Sequence, residues 1–398
     1  MIRIIIIFFC CLFSISSKAQ MYFPQNNTSV WDTISPLSLN WCQDKIDSLY
    51  SFLDDNNTKS FILLKNGKIV LEQYFNGHTD TSSWYWASAG KTLTSFLVGM
   101  AQEENYLEIT DPTSNYLGYG WTDSDSIQEQ GITVWNQLTM TTGLNDTVLD
   151  PNCTIDTCLE YLSNPGTRWA YHNSPYTLLR PVLENATGLG MNLYCYQKIL
   201  SPIGMEGLFL YTGFVNIFYS TSRSMARFGL LILNNGIWDG NQIMSDTNYF
   251  NQMLNTSQAF NESYGYLWWL NGKSSYKLPG SQYVFNNDLI PNTPNDLVAA
   301  LGKNGQIINI VPSDNLVWIR MGNNPDNSLI PNNFNIEVWD YINDLTCGTL
   351  AVEGSNDKVV RKLIKVIDVV GRVVAEQKNS PLFYIYDDGT VEKRIVVE

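Results

Sequence analysis

Apolar positions along the chain change period several times, and each change marks an element. From Leu39 to Asp54, Leu, Ile, Leu and Phe recur at helical spacing behind Asn40, a candidate N-cap. Phe61 to Leu64 and Ile69 to Phe75 flank Asn66-Gly67, a dipeptide suited to a two-residue hairpin. From Ser88 to about Asn105 the period is helical again, with Leu93, Phe96, Leu97 and Met100 on one face. Apolar residues on most other faces predict that this helix is buried. Residues from about 110 to 290 mix helical segments with Asn/Gly/Pro loops and show few clear strands. Strand patterns return at Leu297 to Leu301, Gln306 to Val311 and Leu316 to Met321, before an amphipathic helix ending near Leu345.

Strands at both ends of a helical middle predict an α+β domain. Its sheet is assembled from the two termini, interrupted by an α-rich insertion, with the cleft between the two parts. Gly348 to Asp357 reads as a polar linker. Beyond it Leu363 to Val370, Val373 to Glu376, Leu382 to Tyr386 and Val391 to Val397 predict a small all-β appendage. The domain reading is therefore 20–347, a linker 348–357, and an appendage 358–398.

Residues 1–19 read separately. Arg3 opens a short apolar run, Ile4 to Phe13, and Ser17-Lys18-Ala19 supplies small residues around a cleavage site, so a signal peptide and an exported protein are expected. The run is too short to span a bilayer. Removing it takes the formal charge from −14 to −16, because it carries Arg3 and Lys18 and no acid. That sign argues against nucleic acid and anionic membranes as partners.

Five cysteines remain after cleavage: Cys42, Cys153, Cys158, Cys195 and Cys347. Cys153 and Cys158 are close enough to pair, and Cys42 with Cys347 would tie the ends of the main domain together. For most of them the expectation is a buried thiol without chemistry. With only His78 and His172 and no paired ligand spacing, neither a metal nor another cofactor is called for.

The chemistry concentrates in three short motifs. Ser-x-x-Lys at a helix start lets the lysine reach the serine hydroxyl three positions away and accept its proton, while the serine N–H points out of the helix N-terminus. The pattern occurs at Ser88/Lys91, Ser274/Lys277 and Ser355/Lys358, but only Ser88 opens a long apolar helix. Tyr-x-Asn occurs at Tyr74, Tyr171, Tyr249 and Tyr341. Tyr171-His172-Asn173 alone follows a turn, Asn164-Pro165-Gly166, that would present it on a loop.

Ser88-Ala89-Gly90-Lys91, Pro165-Gly166 leading through Trp169 to Tyr171-His172-Asn173, and Gly302-Lys303-Asn304-Gly305-Gln306 before a strand resemble the three motifs of the class C β-lactamase-like, penicillin-recognising serine hydrolases. Asp111-Pro112, the run Leu138 to Leu144, Pro202-Ile203-Gly204-Met205 and Tyr264-Gly265-Tyr266 agree in order, and the likeness covers roughly residues 40 to 345. It implies a β-lactamase/transpeptidase-like fold with an antiparallel sheet. It also implies Ser88 as nucleophile, Lys91 as its activator, Tyr171 as general base and later acid, and Asn173 as an orienter of Lys91 and substrate. Gly302, Lys303 and Gly305 stand for the third motif, with the Lys303 backbone N–H as second oxyanion donor. Here Ala300 and Leu301 replace the family's lysine and threonine, the groups that would hold a β-lactam carboxylate.

This departure favours a hydrolase of a small-molecule carboxylic ester or small amide over a β-lactamase or D-alanyl peptidase. A non-hydrolytic peptidoglycan or β-lactam sensor is the alternative of another class. Trp84, Trp86, His172 and Trp268 are candidate pocket residues, although buried aromatics are more often core. The segments Lys362 to Arg372 and Pro381 to Arg394 resemble the C-terminal sorting domain of type IX secretion in Bacteroidetes, which implies that machinery as a partner and release or surface attachment as the destination. A structural or carbohydrate-binding β-module is the competing reading of the same strands.

Overall fold

The computed structural model describes residues 21–26, 28–325, 328–347, 362–368, 371–375, 377, 380–387 and 391–395. The signal segment 1–19 and the linker 348–357 lie outside them. The chain divides into two compact units, 1–346 and 347–398.

In the larger unit, β1 (Thr58–Lys65) and β2 (Lys68–Tyr74) form the hairpin expected at Asn66-Gly67. Both turn residues have positive φ, 51° and 79°. A Cβ on Gly67 would stand 1.9 Å from Tyr22 O, so only glycine fits there. Three further strands follow in the middle of the chain: β3 (Ser83–Tyr85), β4 (Gly207–Thr212) and β5 (Val215–Thr221). After them come β6 (Trp269–Leu270), β7 (Val298–Gly302), β8 (Gln306–Val311) and β9 (Leu316–Gly322). The central sheet has the order β2-β1-β9-β8-β7-β6 and every pair is antiparallel. It is thus built from both ends of the unit, as expected.

Alternation along β9 assigns the two faces of this sheet. Val317 approaches a helix, Ser222–Leu233, so closely that a Cβ on Gly229 would lie 2.6 Å from Val317 Cγ1. Trp318 packs instead on Trp339 of the C-terminal helix Asn332–Asn343, and Phe52 of the N-terminal helix Gln43–Asp55 stacks on Phe334 and Tyr341 of that same helix. The two terminal helices therefore cover one face, and Ser222–Leu233 covers the other. The segment around Ser88 lies on the latter side, where Trp86 and Phe96 pack on Phe228.

Two local expectations change. Asn40 is not the N-cap: it ends a Pro36–Leu39 3-10 turn at φ 59°, and the helix starts at Gln43 behind Cys42. The middle of the chain also holds a second sheet, ordered β3-β5-β4. It escapes the periodicity because its buried face includes the polar Asn216 and Ser220, whereas apolar Ile217 and Tyr219 are half-exposed.

Cys153 and Cys158 are bridged, Cys42 and Cys347 are each disulfide-bonded, and Cys195 is a buried thiol. The expectation of mostly free thiols is thus corrected. The smaller unit is a three-stranded antiparallel sheet, Leu363–Ile367, Pro381–Tyr386 and Val391–Ile395, with Leu382, Tyr384 and Tyr386 as its core. Val373 forms only an isolated bridge with Ile367 rather than a strand. No helix among the described residues is long and apolar enough to cross a membrane.

Candidate active site

Ser88 sits on a 3-10 turn, Ala87–Gly90, that runs directly into the buried helix Lys91–Glu103. The turn is clamped from behind. Trp86 N donates to Phe218 O at 2.8 Å, and the Trp86 indole donates to Ser220 Oγ at 2.8 Å. That clamp holds Ala87 at φ 47°, a left-handed conformation costing an alanine about 1 kcal/mol or more. Such a kink turns the next side chain, that of Ser88, away from the helix axis.

Lys91 is buried to 2% exposure, and its Nζ donates to Ser88 Oγ at 2.9 Å. Burial lowers its pKa from the usual 10.5 to about 7. A neutral amine is therefore present near physiological pH, and in that form it accepts the serine proton across the same contact. Nζ also lies over two aromatic faces, 5.1 Å from the Tyr171 ring centroid and 4.3 Å from that of Tyr176.

The second motif arrives as expected on the turn Asn164–Thr167, where Gly166 takes φ 76° and its N–H donates to Thr141 O. Tyr171 stacks on Trp269, with centroids 6.0 Å apart and planes 16° apart. Burial holds the Tyr171 phenol well above its usual pKa, and the Ser88 side chain as hydrogen-bond partner offsets only part of that rise. At neutral pH Tyr171 is protonated. The base available in the free protein is thus Lys91, and Tyr171 is disposed as a proton donor and relay.

Asn173 Nδ2 donates to Asn152 Oδ1 at 2.8 Å, and Ser174 Oγ donates to Pro151 O at 2.8 Å. The segment bridged by Cys153–Cys158 thereby braces the second motif. The described hydrogen bonds of Asn173 go to Asn152 rather than to Lys91, which differs from the orienting role that the resemblance implies. His172 is buried with both ring nitrogens unpartnered among the described residues, and burial lowers its pKa to about 4. It is a neutral wall residue.

In the third motif, Gly302 ends β7 against the serine turn: a Cβ there would stand 2.4 Å from Trp86 O and 2.9 Å from Ala89 N. Ala300, two residues earlier on the same face of the strand, is fully buried, and Leu301 points to the opposite face. Lys303 is exposed in the following turn. Asn304 Nδ2 donates to Tyr85 Oη at 2.7 Å, joining that turn to the segment before Ser88. Gly305, at φ 75°, makes room for buried Arg320, whose Nη1 donates to the Asn304 and Gly305 carbonyls. Gly305 supports the hairpin rather than the serine.

The candidate aromatics separate. Trp86 and Trp268 are fully buried core residues, Trp268 stacking on Phe228, so neither lines a pocket. Trp84 is half-buried, its indole donating to Gly322 O. Tyr176, Tyr264 and Trp269 are buried around Lys91 and Tyr171; Tyr264 belongs to the Tyr264-Gly265-Tyr266 piece of the resemblance, whereas Tyr176 is a site residue that no motif singles out. For Tyr176 the sequence signal is aromatic character alone. No group of side chains that could hold a metal ion occurs among the described residues.

A family model described as Beta-lactamase matches residues 57–331, more than half of the chain. The chain belongs to the beta-lactamase family. A protein of Bacillus subtilis (strain 168) named as penicillin-binding protein PbpX is 27% identical over 159 residues, 36% of this chain and 39% of that protein. The chain thus spans about two fifths of the length of this curated relative. Among solved structures, a protein from Bacillus anthracis named as a 6-aminohexanoate-dimer hydrolase superposes with a TM-score of 0.59 at 21% identity, over 80% of this chain and 87% of that one. One from Bacteroides dorei DSM 17855 named as a beta-lactamase gives 0.60 at 17% identity, over 77% and 99%. A penicillin-binding protein homolog from Caulobacter crescentus gives 0.58 at 13%, over 76% and 98%. The fold is β-lactamase/transpeptidase-like.

Proposed function

We propose that this beta-lactamase-family protein is exported and cleaves a carboxylic ester or small amide through an acyl-enzyme on Ser88. The observation carrying the reading is the buried Lys91 amine at 2.9 Å from Ser88 Oγ, with its pKa lowered to about 7. Lys91 takes the Ser88 proton as Oγ attacks the substrate carbonyl carbon. The oxyanion forms against the Ser88 and Lys303 backbone N–H groups, and the proton passes, with Tyr171 as relay, to the leaving alkoxide or amine. Water then attacks the acyl-enzyme by the reverse relay and releases the acid.

Neutral substrates fit this cleft best. The strand face that carries a cation in the resembled motif carries Ala300 here, Lys303 is exposed, and Arg168 already pairs with Asp146 at 2.6 Å. A carboxylate brought in without a partner costs several kcal/mol, so cephalosporins are disfavoured against neutral esters by roughly 10² or more in kcat/KM. Short-chain p-nitrophenyl esters are therefore expected to turn over steadily, with little or no hydrolysis of a cephalosporin. A burst without turnover would instead indicate a sensor. Efficient cephalosporin turnover that collapses in Lys303→Ala, with ester turnover retained, would make the protein a β-lactamase with a shifted third motif.

The same reading assigns residues 1–19 to export and the small β unit to type IX sorting. Removing residues 347–398 in a Bacteroidetes host is expected to leave the protein in the periplasm. Unchanged release into the medium would assign that unit another role.

A further inference from the structure

We propose that Tyr176 is a positioning residue for Lys91, holding its amine against Ser88 with the face of its ring. Three observations carry this. Nζ lies 4.3 Å from the Tyr176 centroid, closer than to Tyr171 at 5.1 Å, so the amine is bracketed by two aromatic faces. Tyr176 is itself fixed: it is 2% exposed, sits in the short helix Asn173–Thr177 that continues the second motif, and its hydroxyl is 3.3 Å from Thr94 Oγ1, one helical turn beyond Lys91. Finally, burial is what lowers the Lys91 pKa, and among the described residues no acidic side chain counters it.

An ammonium that forms in such a place during proton transfer needs a counterpart, and the negative face of an aromatic ring is one that does not hold the amine protonated beforehand. A carboxylate at the same position would keep Lys91 protonated and useless as a base. Phenols surround the amine. Tyr171 and Tyr176 face it directly, Tyr264 stands behind both, and Tyr211 lies beyond Tyr176. Ring faces are thus the stabilisation that the site offers the lysine cation.

The inference rests on Lys91 as the activator of Ser88, and it is testable without turnover. Tyr176→Phe retains the ring and serves as reference. Replacing that phenylalanine by its 4-fluoro, 3,5-difluoro and 3,4,5-trifluoro analogues drains the face of charge with little change of shape, so folding and packing stay comparable. The Lys91 pKa, read from its ¹³Cε shift in unreacted protein, is expected to fall stepwise by roughly 0.5–1 unit in all. The acid limb of the fluorophosphonate labelling rate at Ser88 should move with it. A Lys91 pKa that stays flat or rises along the series overturns the role of Tyr176. Absence of labelling at Ser88 in the wild type would overturn the proposed function instead, leaving the titration to decide Tyr176 alone.

Discussion

Ser88→Ala is expected to abolish fluorophosphonate labelling and to reduce ester turnover by on the order of 10⁴ or more, because the hydroxyl is the covalent acceptor and only binding and oxyanion contacts remain without it. The fold should be untouched. Ser88 is partly exposed, its side chain bonds to Lys91 and to Tyr171, and losing each such bond costs about 1–2 kcal/mol at most. Labelling followed by peptide mapping, with a thermal melt on the same sample, checks both halves. Undiminished labelling would move the nucleophile elsewhere, and the geometry already weakens one rival. Ser274 is exposed and donates to Glu262 Oε2 at 2.6 Å, while Lys277 Nζ donates to Gln282 Oε1 at 3.0 Å. That second Ser-x-x-Lys pair has the spacing without the contact. Ser355 lies outside the described residues.

The contrast between Ser88 and Ser274 shows what was legible in the sequence. Spacing alone did not separate them, but a long apolar helix after Ser88 did, because a lysine can lose its proton only where water is excluded. The hairpin at Asn66-Gly67 and the three late strands were legible for a similar reason: turn chemistry and burial pointed the same way. Legibility failed where they diverged. In β5 two of the three buried positions, Asn216 and Ser220, are polar while Ile217 and Tyr219 are half-exposed, so the period-2 signal is scrambled and the sheet beneath Trp86 is not legible.

The aromatic wall was illegible for a different reason. Tyr176 comes from a segment far from Tyr264 and Trp269, which face each other across a local bridge, and the three meet only in three dimensions. Apart from Tyr264-Gly265-Tyr266, nothing in the local pattern distinguishes them from core aromatics, and Trp86 and Trp268, equally aromatic in sequence, are indeed core. The brace on Asn173 likewise depends on Asn152, 21 positions away beside the Cys153–Cys158 bridge.

Lys91→Ala and Tyr171→Phe are each expected to lower kcat by on the order of 10² or more, and the double variant should lose less than the product, because one proton passes through both groups. Losses that multiply would show two independent roles. The pH profile separates the partners. Lys91 is active as the free amine, so kcat/KM of the wild type should rise with pH through about 7, the value to which burial lowers it. Tyr171 is held protonated by burial, so no loss is expected until well into the alkaline range. The same shift has a stability consequence with a fixed sign. Between about pH 7 and 10.5 the unfolded chain binds a proton at Lys91 that the folded chain does not, so this group's contribution to stability rises with pH across that window and is most unfavourable below it. A shift of that size corresponds to several kcal/mol. Lys91→Met, close in volume and without charge, should therefore be inactive yet more stable than wild type at pH 6, with the advantage shrinking towards pH 10. A variant melting below wild type at pH 6 would mean that Lys91 is solvated or paired in the folded protein, and the lysine would then be no base at neutral pH.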